Sequence, residues 1–132
     1  MKIIFFRASK LGFRVCEKII ADGFNVSAIF TLEENFSIKH KSDQEKIDVK
    51  NVLYHDFSCL SSFGIPIYKT SGKIDQYREF IEKLKPDLIV VAGWYHILPR
   101  SILSLPALGT VGLHASLLPK YRGNAPLVWA MI

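Results

Sequence analysis

The order of apolar runs predicts an α/β protein with a mostly parallel sheet and helices on both of its faces, formed as one domain over residues 1–132. Three observations carry that prediction. Short continuous apolar runs, Ile3-Ile4-Phe5-Phe6 and Leu88-Ile89-Val90-Val91-Ala92 above all, have the composition of strands buried on both faces. Between such runs lie stretches whose apolar residues recur at helical spacing. A length of 132 residues, 49% of them hydrophobic, is enough for one substantial core and argues against disorder.

Taken in order, residues 3–6 are predicted as a central strand. Ser9 is predicted to cap a helix over 10–21, with Leu11, Val15 and Ile19, and beside them Phe13, Cys16 and Ile20, at helical spacing and Asp22-Gly23 closing it. A second strand over 26–30 completes a βαβ unit, which requires a right-handed crossover and a parallel sheet. The first turn, Arg7-Ala8-Ser9-Lys10-Leu11-Gly12, lacks the Gly-x-Gly-x-x-Gly that lets a backbone approach a dinucleotide pyrophosphate. Its helix amino end, with Ser9 and Lys10 and with Arg7 nearby, suits a substrate phosphate through free amides and the helix dipole. The alternative is that Ser9 only caps while Arg7 and Lys10 are solvated.

Residues 32–56 turn polar and aperiodic and are predicted as a long mobile surface loop, a lid or a simple insertion. Asp56 is predicted to cap a short helix to Phe63 that Gly64 stops, followed by a third strand over 65–68. A helix starting at Ser71 or Asp75 reaches Leu84, with Ile74, Tyr77, Ile81 and Leu84 on one face, and Lys85-Pro86 ends it. Residues 87–92 form the fourth strand. Pro99 opens a helix through Leu105, Pro106 stops it, and a buried fifth strand over 109–111 leads toward His114. Strands alternating with helices in this way give a Rossmann-like, doubly wound sheet.

Composition narrows the function classes. No stretch reaches the roughly 18 uncharged apolar residues of a membrane span, and no signal peptide precedes the first strand, so a cytoplasmic protein is expected. Cys16 and Cys59 stand far apart with no metal-ligand spacing around them; two buried thiols and no metal site are expected. A net charge of +5 suits an anionic partner. The basic residues are nonetheless dispersed among acids, as on an ordinary solvated surface.

In doubly wound sheets, ligands bind beyond the carboxyl ends of the strands, and two loops there stand out. Gly93, Trp94, Tyr95, His96, Ile97 and Leu98 form an aromatic, apolar loop able to wall a flat ligand, or simply to pack under its neighbour. The second loop runs His114-Ala115-Ser116-Leu117-Leu118-Pro119-Lys120-Tyr121-Arg122-Gly123-Asn124-Ala125-Pro126. His114 is the candidate catalytic residue, because histidine both donates and accepts protons near neutrality, although a lone histidine is often structural. Ser116 has no nucleophile elbow around it. Gly123 permits a positive φ or a close approach, or is only a turn glycine.

The pattern His-x-Ser-Leu-Leu-Pro-x-Tyr-x-Gly-x-x-Pro resembles the signature of the folate-dependent formyltransferases, and the resemblance extends through element order to nearly the whole chain. It implies a Rossmann-like formyltransferase fold and a donor, 10-formyltetrahydrofolate, whose pterin lies against Gly93–Leu98. It implies His114 in catalysis and Ser116, Leu117, Leu118, Pro119 and Gly123, with Ser9 and Lys10, toward the substrate. The implied acceptor is a primary amine, on a methionyl-tRNA or an amino-sugar nucleotide. Formyl transfer needs an attacking amine, a stabilised oxyanion and a relayed proton, which a histidine suits. Two departures stand beside the resemblance. The family's asparagine two positions before the histidine is Gly112 here, and its catalytic aspartate is expected beyond Ile132, so that residues 1–132 alone are expected to be nearly inactive. The competing readings are a noncatalytic binding module of the same fold, and a 10-formyltetrahydrofolate hydrolase.

Overall fold

The computed structural model describes residues 1–39, 46–50, 58–122 and 131. Five parallel strands form the main sheet: β1 (Lys2–Arg7), β2 (Asn25–Leu32), β5 (Ile67–Thr70), β6 (Leu88–Ala92) and β7 (Thr110–Leu113), in the spatial order β5-β2-β1-β6-β7. The chain winds outward from β1 to one edge, then returns to β6 and continues to the other. Strand order therefore reverses between β1 and β6, which makes a doubly wound sheet with its switch point there.

Period-two alternation decides which helices each strand faces. Ile3 and Phe5 of β1 point to the layer holding Cys16, Ile29 and Ala92, against which Phe13, Ile19 and Ile20 of α1 (Lys10–Ala21) pack. Ile4 and Phe6 point the opposite way, to Phe30, Ile81 of α2 (Arg78–Leu84) and Ile102 of α3 (Arg100–Leu103). On this second face Phe30 stacks on Phe6 at 4.8 Å between centroids and meets Tyr77 edge-on at 5.3 Å. Both faces are covered, and the central strands read as unbroken apolar runs for that reason.

Local chemistry sets the helix limits. The Ser9 side chain accepts from the Gly12 amide, and Gly23, at φ 81°, turns the chain beyond the Asp22 cap. The third predicted helix is divided: a 3-10 turn over Asp75–Tyr77 precedes α2, and Lys85 closes α2 in a left-handed conformation. Pro99 is the N-cap of α3, which spans four residues instead of reaching Leu105.

Two expectations are corrected. The polar stretch after β2 holds an antiparallel hairpin, β3 (Asn35–Lys39) and β4 (Lys46–Lys50), in which Phe36 pairs with Val49 and Ile38 with Ile47. Its apolar residues alternate with polar ones, so it reads as a loop by composition and as strands by period. The strand before His114 is the second correction. β7 pairs with β6 at the sheet edge, and Val111 and Leu113 are 51% and 57% exposed instead of buried. The predicted helix start at Asp56 lies outside the described residues, as does Gly123. Among the described residues no helix is long and apolar enough to cross a membrane, and no cluster of His, Cys, Asp or Glu could hold a metal ion.

Candidate active site

The register of β6 and β7 builds the site. Val91 pairs with Gly112 and Ala92 with Leu113, so Gly93 and His114 leave the sheet side by side from adjacent strands, about 4.8 Å apart in the pairing direction. Beside the Gly93–Leu98 loop, along β6, β7 and α3, runs an open groove of about 450 Å³ lined by Val91, His96, Ile97, Leu98, Leu103, Thr110 and Gly112. It lies within the size range of small-molecule sites, with an apolar lining and few polar groups. His114 is solvent-exposed, as an acid or base reaching an incoming ligand must be.

The two ends of the Gly93–Leu98 loop are treated differently. Leu98 is buried in the core, and Trp94 packs edge-on to Phe6 at 5.4 Å, its indole Nε1 buried without a hydrogen-bond partner. Ile97, by contrast, is 95% exposed. Trp94 thus anchors the loop to the core, and His96, Ile97 and Leu98 are the residues that face the groove. Burial raises the Tyr95 phenol above its ordinary pKa, and the nearby Ser9 hydroxyl opposes that rise.

Ser9 and Lys10 stand at the amino end of α1, beside the loop after β6. Gly93, at φ 63°, accepts the Ala8 amide at 3.0 Å and lies so close to Ser9 that a Cβ on it would meet the Ser9 hydroxyl and come within 3.1 Å of the Ser9 Cβ. The loop after β6 therefore packs against the amino end of α1 at Ser9. Ser9 acts as a cap, and Lys10 is exposed. The groove is displaced one strand along, to the β6–β7 side.

Arg7 is a further correction, since it is fully buried and not solvated. Its guanidinium lies 5.4 Å from the centroid of Phe13, beneath α1. Burial pushes the neighbouring Cys16 thiol up to about 11, with Arg7 pulling the other way. Nothing is described of the Cys59 side chain, so the expectation of two buried thiols is met only at Cys16.

In the second loop Ser116 is half-buried with its Oγ enclosed and lacking a hydrogen-bond partner, while Leu117, Leu118 and Pro119 are exposed and the Leu118–Pro119 peptide is cis. Tyr121 holds a left-handed φ of 55°, a conformation rare in residues other than glycine. Gly112 is open: a Cβ there would find its nearest neighbours, the Val91 carbonyl oxygen and Cβ, at 3.8 and 4.0 Å, ordinary contact distances. Two residues escaped the sequence reading, Gly12 and Gly72. A glycine inside a helix and one just past a strand were the available signals, but each depends on a neighbour remote in sequence.

A doubly wound α/β sheet with an exposed histidine just beyond the carboxyl end of β7, and an open groove beside β6 and β7, is a Rossmann-like architecture. The family model for formyl transferase matches residues 1–132, and the chain belongs to that family. It is 35% identical over 135 residues to a methionyl-tRNA formyltransferase of Clostridioides difficile (strain 630) and 36% identical over 133 residues to one of Desulforamulus reducens. The whole of this chain is covered in both matches, and it spans 40% and 39% of the lengths of those relatives. Glycinamide ribonucleotide transformylase 1 of Geobacillus kaustophilus shares the fold, with a TM-score of 0.70 over 98% of this chain and 66% of that one at 15% sequence identity.

Proposed function

We propose that the chain is the part of a cytoplasmic N-formyltransferase that binds 10-formyltetrahydrofolate and carries the catalytic histidine, with the primary amine of methionyl-tRNA as acceptor. Residues 1–132 act as one domain in this reading. The observation that carries it is the pairing of Ala92 with Leu113, which brings the Gly93–Leu98 loop and His114 out of the sheet side by side, next to a groove lined by His96, Ile97, Leu98 and Gly112. The names of the relatives support the acceptor.

The apolar lining fits a flat heterocycle, and the groove volume of about 450 Å³ fits a ligand of that size. The donor supplies a formyl carbon activated by its bond to nitrogen. As the acceptor nitrogen bonds to that carbon and the old carbon–nitrogen bond breaks, His114 donates to the formyl oxygen while charge gathers there. It also moves the proton lost by the acceptor toward the departing nitrogen. Ser116, Leu117, Leu118, Pro119 and Gly123 hold the His114 loop against the substrate, and Gly112 leaves free the position where a second donor to the oxygen would stand.

The reading is tested by offering the full-length protein that contains residues 1–132 one donor, 10-formyltetrahydrofolate, with methionyl-tRNA, an amino-sugar nucleotide or no amine. Formyl-methionyl-tRNA is the expected product. Formylation of the sugar alone would reassign the acceptor, release of formate without an amine would indicate a hydrolase, and absence of donor-induced heat in calorimetry would indicate a binding module for another ligand.

A further inference from the structure

β5 and β6 are separated in the sheet by β2 and β1, a span of about 14 Å at the usual strand spacing, yet the loops that follow them touch. Gly72, just after β5, has a φ of 95°, and a Cβ built on it would lie 2.6 Å from both Cδ2 and Nε2 of His96 and 2.8 Å from Cε1. The imidazole rests directly on the glycine backbone. The far side of the contact is also fixed. Thr70, buried at the end of β5, accepts the Gly72 amide on its hydroxyl at 3.2 Å. The His96 ring meets Trp94 edge-on with centroids 5.9 Å apart, and Trp94 is braced on Phe6.

We propose that Gly72 is a positioning residue for the groove, acting through His96: by having no side chain, it lets the loop after β5 set the imidazole in the groove wall. The inference rests on the reading of the groove as the donor site. A groove wall shared by two loops from opposite halves of the sheet is more rigid than one built by the Gly93–Leu98 loop alone, and rigidity of this kind lowers the ordering cost of binding. The ligand edge that faces His96 is one able to pair with an imidazole nitrogen.

The competing account is that Gly72 is needed only for its positive φ. Four full-length chains separate the two: wild type, Gly72→Ala, His96→Ala and the double substitution. In the absence of ligand, the His96 ring-proton signals in NMR spectra should move in Gly72→Ala while those of His114 stay in place. Affinity for 5-formyltetrahydrofolate, used as an unreactive probe of the donor site, should fall on the order of tenfold in Gly72→Ala, within the range for coupled neighbours. The same glycine substitution should change affinity little once His96 is alanine. Unmoved His96 signals overturn the proposal, as does an equal loss of affinity with and without His96. If wild type fails to bind the folate, the donor-site reading falls, and the His96 signals alone decide whether Gly72 places the ring.

Discussion

Replacing Gly12 with alanine should destabilise the protein, although helix propensity taken alone predicts the opposite. Alanine inside a helix is favoured over glycine by ~1 kcal/mol. Against this, the new Cβ would lie 2.7 Å from the Cβ of Arg7 and closer still to the Ala92 carbonyl oxygen, so α1 rests on the backbones of β1 and β6 at this point. Neither neighbour is the free end of a flexible side chain. Restoring normal contact requires α1 to rise by roughly 1 Å, which loosens Phe13, Cys16 and Ile20 against the sheet. Overpacking of this kind costs ~1–3 kcal/mol, and a backbone obstacle belongs at the upper end. The net expectation is a loss of about 2 kcal/mol, or about 1 M in the urea midpoint for a typical slope. Urea unfolding followed by circular dichroism measures it. A midpoint equal to or above that of wild type, with an unchanged slope, would refute the reasoning, because the close contact would then exert no strain.

Other perturbations test separate parts of the account. Gly112→Asn should be tolerated, since the Cβ position is open, and should raise the rate of formyl transfer; removing a comparable oxyanion donor elsewhere costs ~2.7–4 kcal/mol, which bounds the gain, and a rate that stays flat or falls would mean Gly112 is already compensated. Phe30→Ala, which deletes a ring stacked between Phe6 and Tyr68, should cost ~3–5 kcal/mol of stability in chemical denaturation. Cys16 should be inert to a thiol reagent at pH 8 in a Cys59→Ala background until the protein unfolds, its thiol held protonated by burial. Its folded-state pKa is the higher one, so its contribution to stability is complete below pH 9.0 and is lost as pH rises toward about 11. A Cys16→Ala protein should lack that part of the alkaline decline.

The sheet was legible in the sequence because its central strands are covered on both faces and carry unbroken apolar runs, as at residues 3–6 and 88–92. The cap at Ser9 and the stop at Gly23 were legible because they are local chemistry, set by residues adjacent in sequence. The hairpin was hidden because Phe36, Ile38, Ile47 and Val49 are each flanked by polar residues, and average polarity masked the alternation. At the candidate site, the two loops could be named from their letters, but the contacts of Gly93 with Ser9 and of Gly72 with His96 join segments distant in sequence. Such contacts are created by the winding of the sheet. Arg7 shows the same limit: a charged residue after a strand reads as solvated until α1 is laid over it.

The proposed reaction is formyl transfer with His114 as the proton-handling residue. Single-turnover transfer of labelled formyl from 10-formyltetrahydrofolate to methionyl-tRNA decides it, measured on the full-length protein that contains residues 1–132 and on its His114→Ala variant. Transfer by the full-length wild type and a loss of ~10²- to 10⁴-fold in the variant, the usual range for a general acid–base residue, are expected, with donor affinity little changed. Equal rates in the two proteins, or no transfer by wild type from a donor that it binds, would contradict it.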